Sequence, residues 1–196
     1  MNYKIKSQQT VYSGFLKIVK AEAEYDSFES GKTILRTREI MERGNSVAVV
    51  LFEKESDSIL LTKQFRFPAA AKETLLGGDD AGWLLEIPAG VIDEGEKPED
   101  TAKREVFEEI GYRLDKLEFV STFYLSPGVC SEQMFLYYGE VSPKDRIGEG
   151  GGEKNEGEDI QLQRLPVSDI AESIREWKIK DAKSILGLHW FQLNRS

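Results

Sequence analysis

The 196-residue chain is nearly empty of cysteine and histidine, with one of each. Cys130 has no internal partner for a disulfide, which fits a reducing compartment, and it reads as a small buried side chain. His189, set in the apolar stretch from Ile185 to Leu193, reads as a packing residue. A lone histidine also removes the material for histidine-based zinc sites and catalytic triads. No run of about 18 apolar residues occurs, and Met1 to Thr10 lacks the apolar segment of a signal peptide. The expectation is a soluble, unsecreted, cytoplasmic protein. Positive charge is the scarcer sign: 26 Lys and Arg stand against 35 Asp and Glu, a net charge of −9. That balance argues against nonspecific binding to nucleic acid or an anionic membrane, because phosphate-rich surfaces attract basic patches. A phosphorylated small molecule stays open, since a few arginines and a bound cation reverse the potential locally.

What is present is enough for one substantial core, with 40% apolar and 10% aromatic residues. Gly14 to Phe28 is rich in aromatic and β-branched residues, and Ser30-Gly31-Lys32 supplies a turn before Thr33 to Met41. Residues 1–45 therefore read as a hairpin or small sheet that needs something to pack on. Ser46 to Phe52 and Ser58 to Gln64 read as core strands joined by a charged turn. Phe67 to Gly82 carries Pro68, three alanines and Gly77-Gly78, and reads as a loop bordering a pocket. Trp83 to Ile87 returns to strand character. From Lys97 to Ile110 the pattern is helical, with Pro98, Glu99 and Asp100 in the first turn and Gly111 as the C-terminal cap. Leu117 to Leu125 and Gln133 to Val141 read as strands, and Ser142 to Glu158 as a mobile, acidic, Gly-rich loop. After a strand at Asp159 to Leu165, Val167 to Trp177 and Asp181 to Leu193 have helical spacing. Strands and helices without regular alternation predict an α+β sandwich rather than a doubly wound sheet.

Chemistry concentrates in the stretch from Gly90 to Tyr112. At roughly 100° per residue, Glu108 and Glu109 fall about 60° to one side and 40° to the other of Glu105. Three carboxylates on one helix face repel one another and raise each other's pKa. A hard divalent cation such as magnesium or manganese removes that conflict. Taken alone, the three glutamates also suit an ordinary solvated helix face.

Gly90, Glu96, Arg104, Glu105, Glu108, Glu109 and Gly111 together match, at every fixed position and spacing, the 23-residue loop-helix box of the Nudix hydrolases, which this chain resembles. Tyr112 departs from the box, where an aliphatic residue is usual. The resemblance extends to nearly the whole chain and is closest to the ADP-ribose and GDP-mannose pyrophosphatase branch. It is carried there by Arg38-Glu39-Ile40, Glu42-Arg43-Gly44-Asn45, Lys63-Gln64-Phe65-Arg66, Leu85 to Gly90, Ser126-Pro127-Gly128, Glu156 to Ile160 and Lys180-Asp181-Ala182-Lys183.

The resemblance implies an α/β/α sandwich with a mixed central sheet over residues 46–196. It also implies an N-terminal antiparallel sheet over residues 1–45 that makes a homodimer. Glu105, Glu108 and Glu109 would hold Mg2+, with Mn2+ able to substitute, helped by the carbonyl of Ala89 or Gly90 and by Glu158. Arg104 and Glu96 would orient the helix and loop. Glu156 would act as general base on a loop that closes over substrate. Arg43 and Arg66 would bind phosphate or sugar through their forked donors, and Glu86 and Glu132 are further substrate contacts. The expected reaction is hydrolysis of the pyrophosphate bond of a nucleoside diphosphate sugar, ADP-ribose ahead of GDP-mannose. The glycine run Gly150-Gly151-Gly152 leans toward GDP-mannose. Two other readings stay open: a nucleotide-sugar sensor that binds without cleaving, and a Nudix enzyme acting on other nucleotides.

Overall fold

The computed structural model describes residues 1–73 and 82–195, with the side chain of Glu156 outside that description. The backbone divides into two compact units, Met1–Asn45 with Tyr124–Gln133, and Ser46–Phe123 with Met134–Ser196.

The smaller unit is built on three antiparallel strands in sequential order: β1 (Tyr3–Ser13), β2 (Lys17–Asp26) and β3 (Thr33–Glu42). The expected turn at Ser30-Gly31-Lys32 connects the second and third, with Gly31 at φ 74°. Every residue of β1 is exposed, including Tyr3, Ile5, Val11 and Tyr12. Within the same unit, Cys130 is buried and forms a bridge with Met41.

The larger unit is organised by β4 (Ser46–Glu53), whose first six residues are all buried. Its neighbours are β5 (Ser58–Phe65), antiparallel, and β9 (Gln133–Val141), parallel, so the sheet is mixed. The full order is β10-β5-β4-β9-β8, with β8 at Glu118–Tyr124 and β10 at Gln161–Pro166. Two short strands join its middle: β6 (Trp83–Glu86) pairs with β5, and β7 (Ala89–Val91) pairs with β4.

Alternation along β4 gives each face its own core. Val47, Val49 and Leu51 pack with Ala102, Val106 and Ile110 of α2 (Pro98–Ile110). Ala48 and Val50 pack with Ile170 of α3 (Ile170–Arg175) and with Leu188 and Phe191 of α4 (Ala182–Asn194). Fully burying side chains such as Val106 and Leu188 stabilises by about 1.5–3 kcal/mol each. Helices therefore cover both faces of one sheet, the mixed α+β sandwich that the sequence predicts.

α2 begins at Pro98 and ends at Gly111, whose left-handed φ of 79° is one a residue with Cβ adopts at a cost. Two segments differ from expectation. The first part of the 67–82 loop is a helix, α1 (Phe67–Glu73). The three alanines have the highest helix propensity and Pro68 sits in the first turn, where its missing N–H costs nothing. The remainder, 74–81, lies outside the described residues. The Gly-rich stretch is also tied down: Gly151 N–H donates to Glu109 O at 2.9 Å and Gly152 N–H to Glu108 O at 3.0 Å. Ile147 and Gly148 N–H both donate to Gly111 O. These bonds satisfy carbonyls that the end of α2 leaves without intrahelical partners.

Candidate active site

The site is assembled from α2, the turn between β6 and β7, and the first turn of α4, all within the larger unit. Arg104 is its organiser. Its Nε and Nη2 donate to the two oxygens of Glu96, each at 3.2 Å, while Nη1 reaches Glu105 at 2.9 Å and Glu108 at 2.7 Å. Nη2 also points to the carbonyl of Val91 at 3.4 Å. One guanidinium thus fastens the loop after β7 to two glutamates of the helix. Its planar fork suits that task, where the single ammonium of lysine would reach fewer acceptors. Burial works against the arginine's charge, but Glu96, Glu105 and Glu108 together hold it well above its ordinary pKa.

Glu109 faces inward and is 3% exposed. Its Oε2 accepts the Ala89 N–H at 3.1 Å. Burial, reinforced by the charges of Glu105 and Glu158 and only partly offset by Ala89 and Lys183, raises its pKa well above the ordinary carboxylate value. Glu105 is pushed up to about 7, mainly by burial, with Arg104 opposing and Glu108 and Glu158 adding repulsion. Gly90 makes the packing possible: a Cβ there would stand 2.0 Å from the Glu105 carboxylate.

These features fit a divalent cation. The donors are hard carboxylate oxygens, Glu109 is buried beside another acid, and the Gly90 backbone lies directly against Glu105. As the side chains stand, no group of three acids among the described residues is gathered tightly enough to hold an ion, and Arg104 bridges Glu105 and Glu108. Glu105, Glu108 and Glu109, with the Ala89 N–H on Glu109 and the Gly90 backbone against Glu105, are the residues that could hold one.

Glu158 is half-buried, and its Oε2 accepts the Glu153 N–H at 3.0 Å. Glu156 belongs to a short 3-10 turn, Lys154–Glu156, and its side chain lies outside the described residues. Arg66 and Glu86 form a pair: Nε and Nη2 of Arg66 donate to Oε2 of Glu86 at 3.0 and 2.7 Å. Arg43 and Glu132 belong to the smaller unit, where Arg43 is exposed just after β3 and Glu132 is 9% exposed.

The sequence reading assigned no role to Lys183, Asp181 or Ser184. Lys183 Nζ stands 3.2 Å from Oε1 of Glu86 and 3.1 Å from Asp181. Asp181 caps α4 by accepting the Ser184 N–H, and the Ser184 hydroxyl donates to Asp181 while accepting the Ile87 N–H at 2.8 Å. The segment Lys180 to Lys183 stood out only as a family-like motif. A partner 97 positions away leaves no periodicity to detect.

The model of the NUDIX domain matches residues 42–186. A GDP-mannose pyrophosphatase of Cronobacter sakazakii is 37% identical over 165 residues, 84% of this chain and 82% of that protein. An ADP-ribose pyrophosphatase of Haemophilus influenzae is 34% identical over 191 residues, 97% of this chain and 86% of that one. The chain therefore belongs to the Nudix family of hydrolases. A crystal structure titled as an ADP compounds hydrolase superposes with a TM-score of 0.74 at 20% identity, covering 100% of this chain and 98% of that one, which shows the shared fold.

Proposed function

We propose that this Nudix hydrolase cleaves the pyrophosphate bond of a nucleoside diphosphate sugar in a Mg2+-dependent reaction, releasing a nucleoside monophosphate and a sugar phosphate. The observation that carries this reading is the Arg104 fork, which holds Glu96, Glu105 and Glu108 in one array beside the buried Glu109. Proteins of this family generally need a divalent metal ion. When bound, such an ion neutralises diphosphate charge and makes water a stronger nucleophile. Glu105, Glu108 and Glu109 hold it, with Ala89 or Gly90 contributing a carbonyl and Glu158 supporting the array. Arg104 keeps two of these carboxylates in place, the role that hydrogen-bonding neighbours of metal ligands commonly fill. Arg66 takes a phosphate or the sugar with Glu86 beside it, and Glu156 takes the proton from the attacking water. The three-stranded sheet of residues 1–45, with its exposed Tyr3, Ile5 and Tyr12, serves as the surface of a homodimer. The setting is the cytoplasm.

Relatives named for GDP-mannose and for ADP-ribose stand at similar identity, so the two substrates are the first to compare. A magnesium-dependent assay on both, with product identification, is expected to yield a nucleoside monophosphate and a sugar phosphate from at least one. Binding of either nucleotide sugar without turnover would instead establish the sensor reading.

A further inference from the structure

Around Glu86 the chain carries a linked set of charges, two of which, Lys183 and Asp181, have no part in the proposed chemistry. Glu86 is 4% exposed and Lys183 6%. One oxygen of the carboxylate receives the Arg66 fork and the other receives Lys183. Lys183 is held in turn by Asp181, the cap of α4. The same helix turn reaches the backbone one residue further on, through the Ser184 hydroxyl and the Ile87 N–H. The following residues are also pinned, Pro88 by its carbonyl accepting the Val49 N–H at 2.9 Å and Ala89 by Glu109. A lysine ammonium loses its hydration when buried, and it stays in such a place only when fixed acceptors surround it. Two carboxylates do so here, and both are tied to elements of the site.

We infer that Lys183 is a positioning residue: from the first turn of α4 it fixes the direction of the Glu86 carboxylate, and through Glu86 it sets where the Arg66 guanidinium is presented. Without the ammonium, Glu86 has a free oxygen and can rotate toward Arg66 as a symmetric bidentate partner, drawing the guanidinium inward. With it, Arg66 is engaged on one oxygen of Glu86, through Nε and Nη2, and among the described residues Nη1 is left to an anionic ligand. The inference rests on the proposed function in that the ligand is taken to be the diphosphate of a nucleotide sugar.

The test compares Lys183→Met, Lys183→Arg and Arg66→Ala, singly and as Lys183→Met/Arg66→Ala, in the full chain. Lys183→Met is expected to raise KM by about tenfold while kcat changes less than threefold, and Lys183→Arg is expected to recover most of the loss. In the Arg66→Ala background, Lys183→Met should add almost nothing to KM, because its route to substrate is gone. Should Lys183→Met fold poorly, Glu86→Gln/Lys183→Met removes both buried charges, and it is expected to restore the melting temperature and leave KM raised. Equal, additive losses in kcat, KM and melting temperature would overturn the inference and leave Lys183 a packing residue. A crystal structure of Lys183→Met separates this inference from the functional reading. Displacement of Arg66 in a protein inert toward both nucleotide sugars would sink only the latter. An unmoved Arg66 with normal KM in an active enzyme would sink only the former.

Discussion

Two of the glutamates buried in the larger unit, Glu53 and Glu109, are treated in opposite ways. Glu53, at the end of β4, is 1% exposed and surrounded by donors: both oxygens receive Arg164, at 2.8 and 3.1 Å, and Ser56 and Tyr112 add hydroxyl bonds at 2.6 and 2.5 Å. The Arg164 bond, with Ser56 and Tyr112, outweighs burial and lowers its pKa from 4.5 to about 2. Glu109, similarly buried at 3%, accepts one backbone N–H and sits beside other acids, so its pKa moves up instead. Burial alone sets neither outcome; partners decide. The fully paired acid stabilises the fold, and the under-paired one is where the proposed cation would bind.

The contrast breaks most sharply at Glu109. Glu109→Gln is expected to lower turnover at least about 100-fold, or about 2.7 kcal/mol in the barrier, without lowering the melting temperature. Magnesium should raise the melting temperature of the native protein and leave that of Glu109→Gln unchanged, since only a folded state with its ligands intact gains from binding. Near-normal turnover in the variant would end the assignment. Gly90→Ala comes next, because its Cβ would occupy the place of the Glu105 carboxylate. Its turnover should fall by about tenfold or more, measured at saturating magnesium.

The other side of the comparison is sharpened by Glu53→Gln, which should cost about 2 kcal/mol of stability and leave turnover per folded molecule unchanged. The figure is held below the full effect of the pKa shift because the Arg164 side chain is 43% exposed. The sign follows from a folded pKa lowered to about 2. The stabilisation is complete above pH 4.5 and is lost as pH falls toward 2. The gap in melting temperature between native protein and variant should therefore close over that window, and a constant gap would contradict the pairing. Smallest of all is Lys103→Ala, which removes an exposed pair with Glu99 on α2. Chemical denaturation should show a loss of about 0.3–0.5 kcal/mol.

Much of this arrangement was legible in order along the chain. The period of α2, Pro98 near its start and Gly111 at its end place three glutamates on one helix face, and the apolar runs around Val47 and Leu60 announce core strands. Tyr112 was a departure from the motif with no visible reason. The structure supplies one: its ring is buried in the α2 core, and its hydroxyl donates to Glu53 and accepts from Arg164, a bond spanning 59 positions on one side and 52 on the other. The helix at Phe67–Glu73 was misread as loop because proline and glycine nearby outweighed three alanines. The tethering of Gly151 and Gly152 to α2 was equally hidden, since backbone hydrogen bonds to a distant helix end leave no compositional trace.

The sequence by itself determined the helix that carries the acids, the glycine that ends it and the apolar core strand at Ser46 to Phe52. These depend on local geometry and on periodicities of 3.6 and 2 that neighbouring residues enforce. Only the tertiary structure decided which charges neutralise which: Arg164 with Glu53, Lys183 and Arg66 with Glu86, Arg104 between Glu96 and Glu108. Desolvation and Coulomb energy depend on distance through space and on exclusion of water, and those quantities come into existence only when the sheet and its two layers of helices close around the side chains.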